Sequence, residues 1–130
     1  MSSTATETAR RLADAPAAYF KDVDALDVDA VLSHFAETAT LTVQTDHVTF
    51  SGAEEIRQMF TGFFADWDSM AHTITNLVVD GESGKVATEQ DVTLRRDGST
   101  EMHNCNFFEI GEDGKFTRVI IWMDGANPLK

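Results

Sequence analysis

Four stretches in the second half of the chain, residues 71–80, 85–96, 99–110 and 116–124, constrain the fold more than anything else in the sequence. Each alternates apolar or β-branched residues with polar ones, and the links between them carry Asp80-Gly81, Asp97-Gly98 and Asp113-Gly114. A period of two sends successive side chains to opposite faces of an extended chain. Asp-Gly supplies the positive φ that tight antiparallel connections need. Four long strands joined by hairpins are therefore predicted. One face of such a sheet must be covered, and helices packed on it are the usual solution.

The first seventy residues supply the cover. Ala9, Leu12, Ala13, Tyr19, Phe20 and Val23 recur at helical spacing, and Pro16 places the predicted start of a short or kinked first helix near Ala15, with Asp14 as its cap. Asp27 caps a second short helix whose apolar face is Val28, Val31, Leu32 and Phe35. Residues 38–45 and 47–50 read as a hairpin or bent strand around a turn at Asp46. Ser51 followed three residues later by Glu54 is a capping box, and Ile56, Met59, Phe60, Phe63 and Phe64 form the stripe of the helix behind it. No repeat, linker or break in composition divides the chain. The reading is one α+β domain over residues 1–130, with residues 1–8 flexible. Three N-terminal helices pack in a curved antiparallel sheet, which wraps them as a cone with one open end.

Charge and composition narrow the function classes. Twenty-two acidic residues against ten basic ones give a net charge of −12, which repels phosphate backbones and anionic lipid. Neither nucleic acid nor membrane is expected as a partner. No apolar run approaches the ~18 residues that span a bilayer, and Met1 to Glu7 shows no charged-then-apolar leader, so a cytoplasmic location is expected. Cys105 is the single cysteine, and the histidines at 34, 47, 72 and 103 lack metal-ligand spacing. No metal and no cofactor are expected.

Strand parity sorts the remaining side chains. Met102, Asn104, Asn106 and Phe108 share one face of their strand, opposite His103, Cys105 and Phe107. Thr88, Gln90, Val92 and Leu94 share a face of the strand before it. If Val119, Ile121 and Met123 face inward on the last strand, Trp122 and Asp124 face out. Phe107 and Trp122 then lie on a face with no helix over it, which predicts a sheet-to-sheet homodimer. His34, His47 and His103 read as solvated or interfacial. Phe60, Phe63, Phe64 and Trp67 read as core and pocket wall.

The order of elements, together with Phe35-Ala36-Glu37-Thr38-Ala39-Thr40-Leu41, Phe50-Ser51-Gly52, His72 to Asn76, Val78-Val79-Asp80-Gly81 and Asp113-Gly114-Lys115 through Asp124, resembles the nuclear transport factor 2-like (cystatin-like) superfamily. Within it the SnoaL-like branch is nearest. The resemblance runs from Tyr19 to about Asn127. It implies an apolar pocket for a small polyketide-, terpenoid- or steroid-like molecule between the helices and the concave sheet face. Members include ketosteroid isomerases, scytalone and bile-acid dehydratases, dehydrochlorinases and polyketide cyclases, besides proteins that are not enzymes.

Carried over residue by residue, the resemblance puts Val43 where the isomerases hold their carboxylate base, and an apolar Val moves no proton. Asn106 falls on their oxyanion-hole acid and Tyr19 on their oxyanion tyrosine. The dehydratase type fits better, with its Asp on Asp24 and its His on His72. The dehydrochlorinase arginine has no counterpart near Glu109 to Glu112. The resemblance also turns Asn104, Asn106 and, by register, Gln90 inward, beside Phe60, Trp67 and Met123 as substrate-binding residues.

The implied reaction is a cofactor-free lyase or isomerase step, of dehydratase or cyclase type. His72 would be the base, Asp24 its orienting carboxylate and Tyr19 a hydroxyl donor to a substrate oxygen. The same residues have a plain reading too. Asp24 and His72 would be a satisfied pair, Tyr19 an aromatic with a wet tip at the core edge, and the amides partners of water or of one another. The protein would then be a non-catalytic binder or a dimeric interaction module.

Overall fold

The computed structural model describes residues 3–125 and Pro128. Among them, three helices and one six-stranded sheet form an α+β architecture. The helices are α1 (Ser3–Asp24), α2 (Val28–Leu32) and α3 (Gly52–Asp66). The strands are β1 (Phe35–Val43), β2 (Val48–Ser51), β3 (Ser69–Asp80), β4 (Lys85–Arg95), β5 (Ser99–Ile110) and β6 (Phe116–Trp122). Their order across the sheet is β2-β1-β6-β5-β4-β3. The last four strands form the expected antiparallel meander, whereas β1 pairs with β6 in parallel, so the sheet is mixed and not wholly antiparallel. Only α1 and α2 precede the sheet, since α3 sits between β2 and β3.

Helix α1 corrects the sequence reading most. It begins at Ser3, not near Ala15, takes in six of the eight residues expected to be flexible, and carries Pro16 inside it. An interior proline costs roughly 3 kcal/mol through its missing N–H and its clash with the preceding turn. Leu12, Pro16, Tyr19, Phe20 and Val23 lie on one stripe, and all are buried. At roughly 1.5–3 kcal/mol for each large apolar side chain, that burial outweighs the local cost.

Helix α1 ends at Asp24 through a Schellman arrangement. The Asp27 N–H donates to the Asp22 carbonyl at 3.3 Å and the Leu26 N–H to that of Val23 at 3.0 Å, with Leu26 left-handed at φ 57°. Asp27 then caps α2 as predicted, accepting from the Ala30 N–H at 3.1 Å. Phe35, assigned from sequence to the α2 face, opens β1 instead.

The capping box at α3 forms only in part. The Ser51 side chain makes no cap bond, and the Ser51 N–H donates to Glu55 Oε1 at 2.8 Å, not to Glu54. The turn at Asp46 is a single 3-10 turn, Gln44–Asp46, closed by a left-handed His47, so β2 starts at Val48. A bulge between Ile74 and Asn76 in β3 shifts the parity of that strand. Before it Met70, His72 and Ile74 face inward; after it Leu77 and Val79 do, leaving Val78 exposed. Gly84, at φ +71°, allows the β3–β4 turn to pack on the end of β5, where a Cβ would lie 2.8 Å from the Ile110 carbonyl oxygen.

The inner sheet face and the stripes of α1 and α3 enclose the core. Tyr19 sits at the hub of its aromatic part, with the rings of Phe20, Phe35, Phe60, Phe108, Phe116 and His34 at centroid distances of 5.2–6.4 Å.

Candidate active site

Two elements distant in sequence meet at the edge of the sheet. The last residue of α1 is Asp24, and β3 carries His72 on its inner face directly across from Val92 of β4. Asp24 Oδ1 lies 2.6 Å from His72 Nδ1, and Asp24 Oδ2 accepts the His72 backbone N–H at 2.9 Å. Both carboxylate oxygens are thus engaged with one residue. The Phe20 ring stacks on the imidazole at 4.8 Å and 11°. The imidazole is held in its plane and at its angle, with side-chain exposures of 10% for His72 and 27% for Asp24. A carboxylate can only accept, so Nδ1 carries the hydrogen, and in the neutral imidazole Nε2 keeps its lone pair.

His72 lines a cavity on the concave face, together with Tyr19, Phe20, Phe60, Phe63, Gln90, Met102, Asn104, Asn106, Ile121, Met123 and Pro128. Asp24 lies outside it, behind the imidazole, in a surface groove shared with Lys21 and Thr73. Tyr19 and Asp24 therefore do not share the cavity; Tyr19 and His72 do. Burial pushes the Tyr19 phenol well above its ordinary range, so it stays a neutral donor. The cavity volume is about 40 Å³, room for water and far below the roughly 300 Å³ at which small-molecule sites begin.

Three amides form the polar floor. The Thr88 hydroxyl donates to Gln90 Oε1 at 2.7 Å, and Gln90 Nε2 donates to Asn106 Oδ1 at 2.9 Å. Asn104, one pleat along β5, has a buried carbonyl oxygen with no hydrogen-bond partner. All four residues are 6% exposed or less. Asn104, Asn106 and Gln90 face inward, as the resemblance implied.

Trp67 is not brought to the site. Helix α3 stops at Asp66 and Trp67 turns extended, which carries its ring out of the α3 stripe and under the Arg96 guanidinium, 5.1 Å from its centroid. Among the remaining histidines, His34 is not solvated as expected. Its Nε2 pairs with Asp22 at 2.7 Å and its ring lies over Phe116. His103 does face outward, between Asp91 at 2.7 Å and Glu89 at 3.1 Å, with Asp124 accepting its backbone N–H. Phe63 lines the cavity as expected of a pocket-wall residue, whereas Pro128 and Met102 are cavity residues that sequence reasoning did not single out as ligand contacts, although parity grouped Met102 with Asn104 and Asn106. Among the described residues no cluster of three or more His, Cys, Asp or Glu is placed to hold a metal, and no helix is long and apolar enough to cross a membrane.

A curved sheet closed over by helices, with His72 in the wall of its hollow and Asp24 behind it, defines a cystatin-like α+β fold. Residues 17–119 match the SnoaL-like domain family, and the chain belongs to that family, within the nuclear transport factor 2-like superfamily. It is similar to a protein from Novosphingobium aromaticivorans provisionally named an aromatic ring hydroxylase. Identity there is 30%, over 92% of this chain and 96% of that one, with a TM-score of 0.79. PrhC from Penicillium brasilianum superposes with a TM-score of 0.83 at 17% identity, covering 90% and 82% of the two chains. SalBIII, an epoxide hydrolase/cyclase-like enzyme of pyran ring formation in the polyether salinomycin, superposes with a TM-score of 0.79 at 18% identity, covering 88% and 91%. No protein of curated function matches the chain.

Proposed function

We propose that this SnoaL-like protein is a cofactor-free lyase or isomerase, of dehydratase or cyclase type, acting on a small apolar oxygenated molecule of polyketide, terpenoid or steroid character. The observation that carries the reading is the 2.6 Å contact of Asp24 with His72 at the wall of the cavity. In this reading His72 Nε2 removes a proton next to a carbonyl or leaving group. Asp24 fixes the tautomer and stabilises the imidazolium. Tyr19 and the Asn106 amide donate to oxygen as charge develops there. The membership of the family and the pyran-forming chemistry named for SalBIII support the reaction class.

A 40 Å³ cavity does not hold such a substrate, so the site works only if it opens. Met102, Met123 and Pro128 line the cavity, and the methionines are unbranched side chains that repack easily. The second reading is a non-catalytic protein, either a binder that opens in the same way around an apolar ligand or a dimeric interaction module, and the small closed volume favours the module.

The test is a screen of hydroxy-carbonyl and epoxide substrates with the wild type, followed by Asp24→Asn and His72→Ala. Each variant is expected to keep the fold and to lose at least 100-fold in turnover. Turnover preserved in both would remove His72 and Asp24 from the mechanism, and no turnover by the wild type on any of these substrates would leave the binder reading. The outer sheet face, where Phe107 and Trp122 are 46% and 49% exposed on neighbouring strands, is the proposed homodimer surface in the cytoplasm. Trp122→Glu is expected to convert a dimer to a monomer in sedimentation velocity; a wild type already monomeric at micromolar concentration removes this part.

A further inference from the structure

The polar floor of the cavity is unevenly satisfied, and the unevenness carries information about the ligand. Thr88, Gln90 and Asn106 form a directed chain, with the Thr88 hydroxyl donating to Gln90 Oε1 and Gln90 Nε2 to Asn106 Oδ1. Asn106 Oδ1 is consumed by Gln90, so what Asn106 has left for the cavity is its NH2 group, a pure donor. Asn104 is different: it is 6% exposed, lines the same cavity, and its Oδ1 has no partner. A buried amide oxygen without a hydrogen bond carries an uncompensated desolvation penalty, and native structures rarely leave one unexplained. The terminal torsion of an Asn side chain is soft, so the amide turns toward a partner at little cost.

The cavity also excludes charge. Among the described residues that line it there is no Lys, Arg, Asp or Glu, and the one ionisable group besides Tyr19 is His72, already engaged by Asp24. A carboxylate or phosphate brought into this floor would find donors but no compensating cation.

We propose that Asn104 is the specificity residue of this cavity. Its amide oxygen accepts a hydrogen bond from a ligand hydroxyl, while the Asn106 NH2 donates to a ligand carbonyl, so the site selects neutral hydroxy-carbonyl compounds over analogues whose hydroxyl is absent or capped. The two residues lie two apart on one strand face, roughly 7 Å along β5, a span that both oxygens of a six-membered hydroxy ketone bridge with one hydrogen bond at each end. The inference rests on the reading of the cavity as a ligand site, and it is independent of whether His72 acts as a base.

The probes are 4-hydroxycyclohexanone, its methyl ether and cyclohexanone, titrated into the protein while the side-chain amide resonances of Asn104, Asn106 and Gln90 are followed. The hydroxyl of the first is not β to the carbonyl, so it is not set up for elimination through an enolate and binding is read without turnover. The hydroxy ketone is expected to bind roughly tenfold more tightly than both the bulkier ether and the smaller parent ketone, the size of one buried hydrogen bond. Asn104→Leu is expected to abolish that preference, and Asn104→Gln, which keeps a neutral amide oxygen, to retain it. Asn106→Leu is expected to weaken all three ketones alike. Should Asn104→Leu not fold, Asn104→Ala makes the same comparison. Equal binding of the three ketones at the cavity, or a preference that survives in Asn104→Leu, overturns the proposal and leaves the ligand-site reading standing. Titrations that move none of the three amide resonances overturn both.

Discussion

The end of α1 makes two Asp–His pairs, and only one of them faces a hollow. Asp24 reaches His72 at 2.6 Å on one side of the helix, and Asp22, two residues earlier and so on roughly the opposite side, reaches His34 at 2.7 Å. Both imidazoles lie beside an aromatic ring, Phe20 for His72 and Phe116 for His34, and both pairs are partly buried. Local chemistry does not tell them apart. What differs is contact with the cavity. His72 lines the cavity, whereas His34 points its Nε2 at Asp22 and is absent from the cavity wall, fastening α1 to the segment between α2 and β1. A carboxylate–imidazole contact is therefore not itself a catalytic signature; the void beside it is what gives a base something to act on.

The comparison breaks most decisively on activity. With a substrate in hand, His72→Ala is expected to cost at least 100-fold in turnover while His34→Ala stays within about twofold. Equal losses from the two would mean that both pairs act through the fold. Stability should show the reverse weighting at a smaller scale. His34→Ala and Asp22→Asn each remove a half-buried charge-assisted bond, and each is expected to lower stability by about 1 kcal/mol after allowance for partial exposure. Urea denaturation measures this, and an unchanged midpoint for both variants would show that the pair is ornamental.

The smallest effect concerns a third histidine, fully on the surface. Asp91 first and Glu89 second raise His103 above the ordinary imidazole value, while Asn76 and then His103 lower Glu89. A raised folded-state value means stabilisation that is fully present below the ordinary His value near ~6.5 and lost as pH climbs through the folded one. Glu89 contributes in the opposite sense, present above the ordinary carboxylate range and lost as pH falls through its lowered folded value. The advantage in Tm of wild type over His103→Gln is therefore expected at pH 6 and to shrink by pH 8.5. A difference that does not change between those pH values would remove His103 from the account.

Much of this was readable in the chain, and the exceptions share a cause. The β5 strand was predicted at its observed bounds, and the division of β4 and β5 into two faces followed from counting by two, while the family resemblance supplied which face turns inward. The Asp27 cap was equally local. Pro16 misled because a local penalty was weighed without the tertiary burial that offsets it. Trp67 misled because a helical stripe was extended one residue past the helix end, and the β3 bulge is invisible to a count by two.

The candidate site divides along the same line. The family pattern in the sequence pointed to Asp24 and His72, forty-eight residues apart, as partners; neither spacing nor composition brings them together. The sequence by itself determined the strands, their hairpins, the two faces of the sheet and the polar identity of its floor, since each follows from periodicity or from the conformational needs of single residues. Tertiary structure alone decided that β1 runs parallel beside β6, that Asp22 takes His34, that Asn104 is left without a partner, and that the hollow is only about 40 Å³. Those outcomes depend on how curved layers close against one another, a property of the packed whole that no short window of residues encodes.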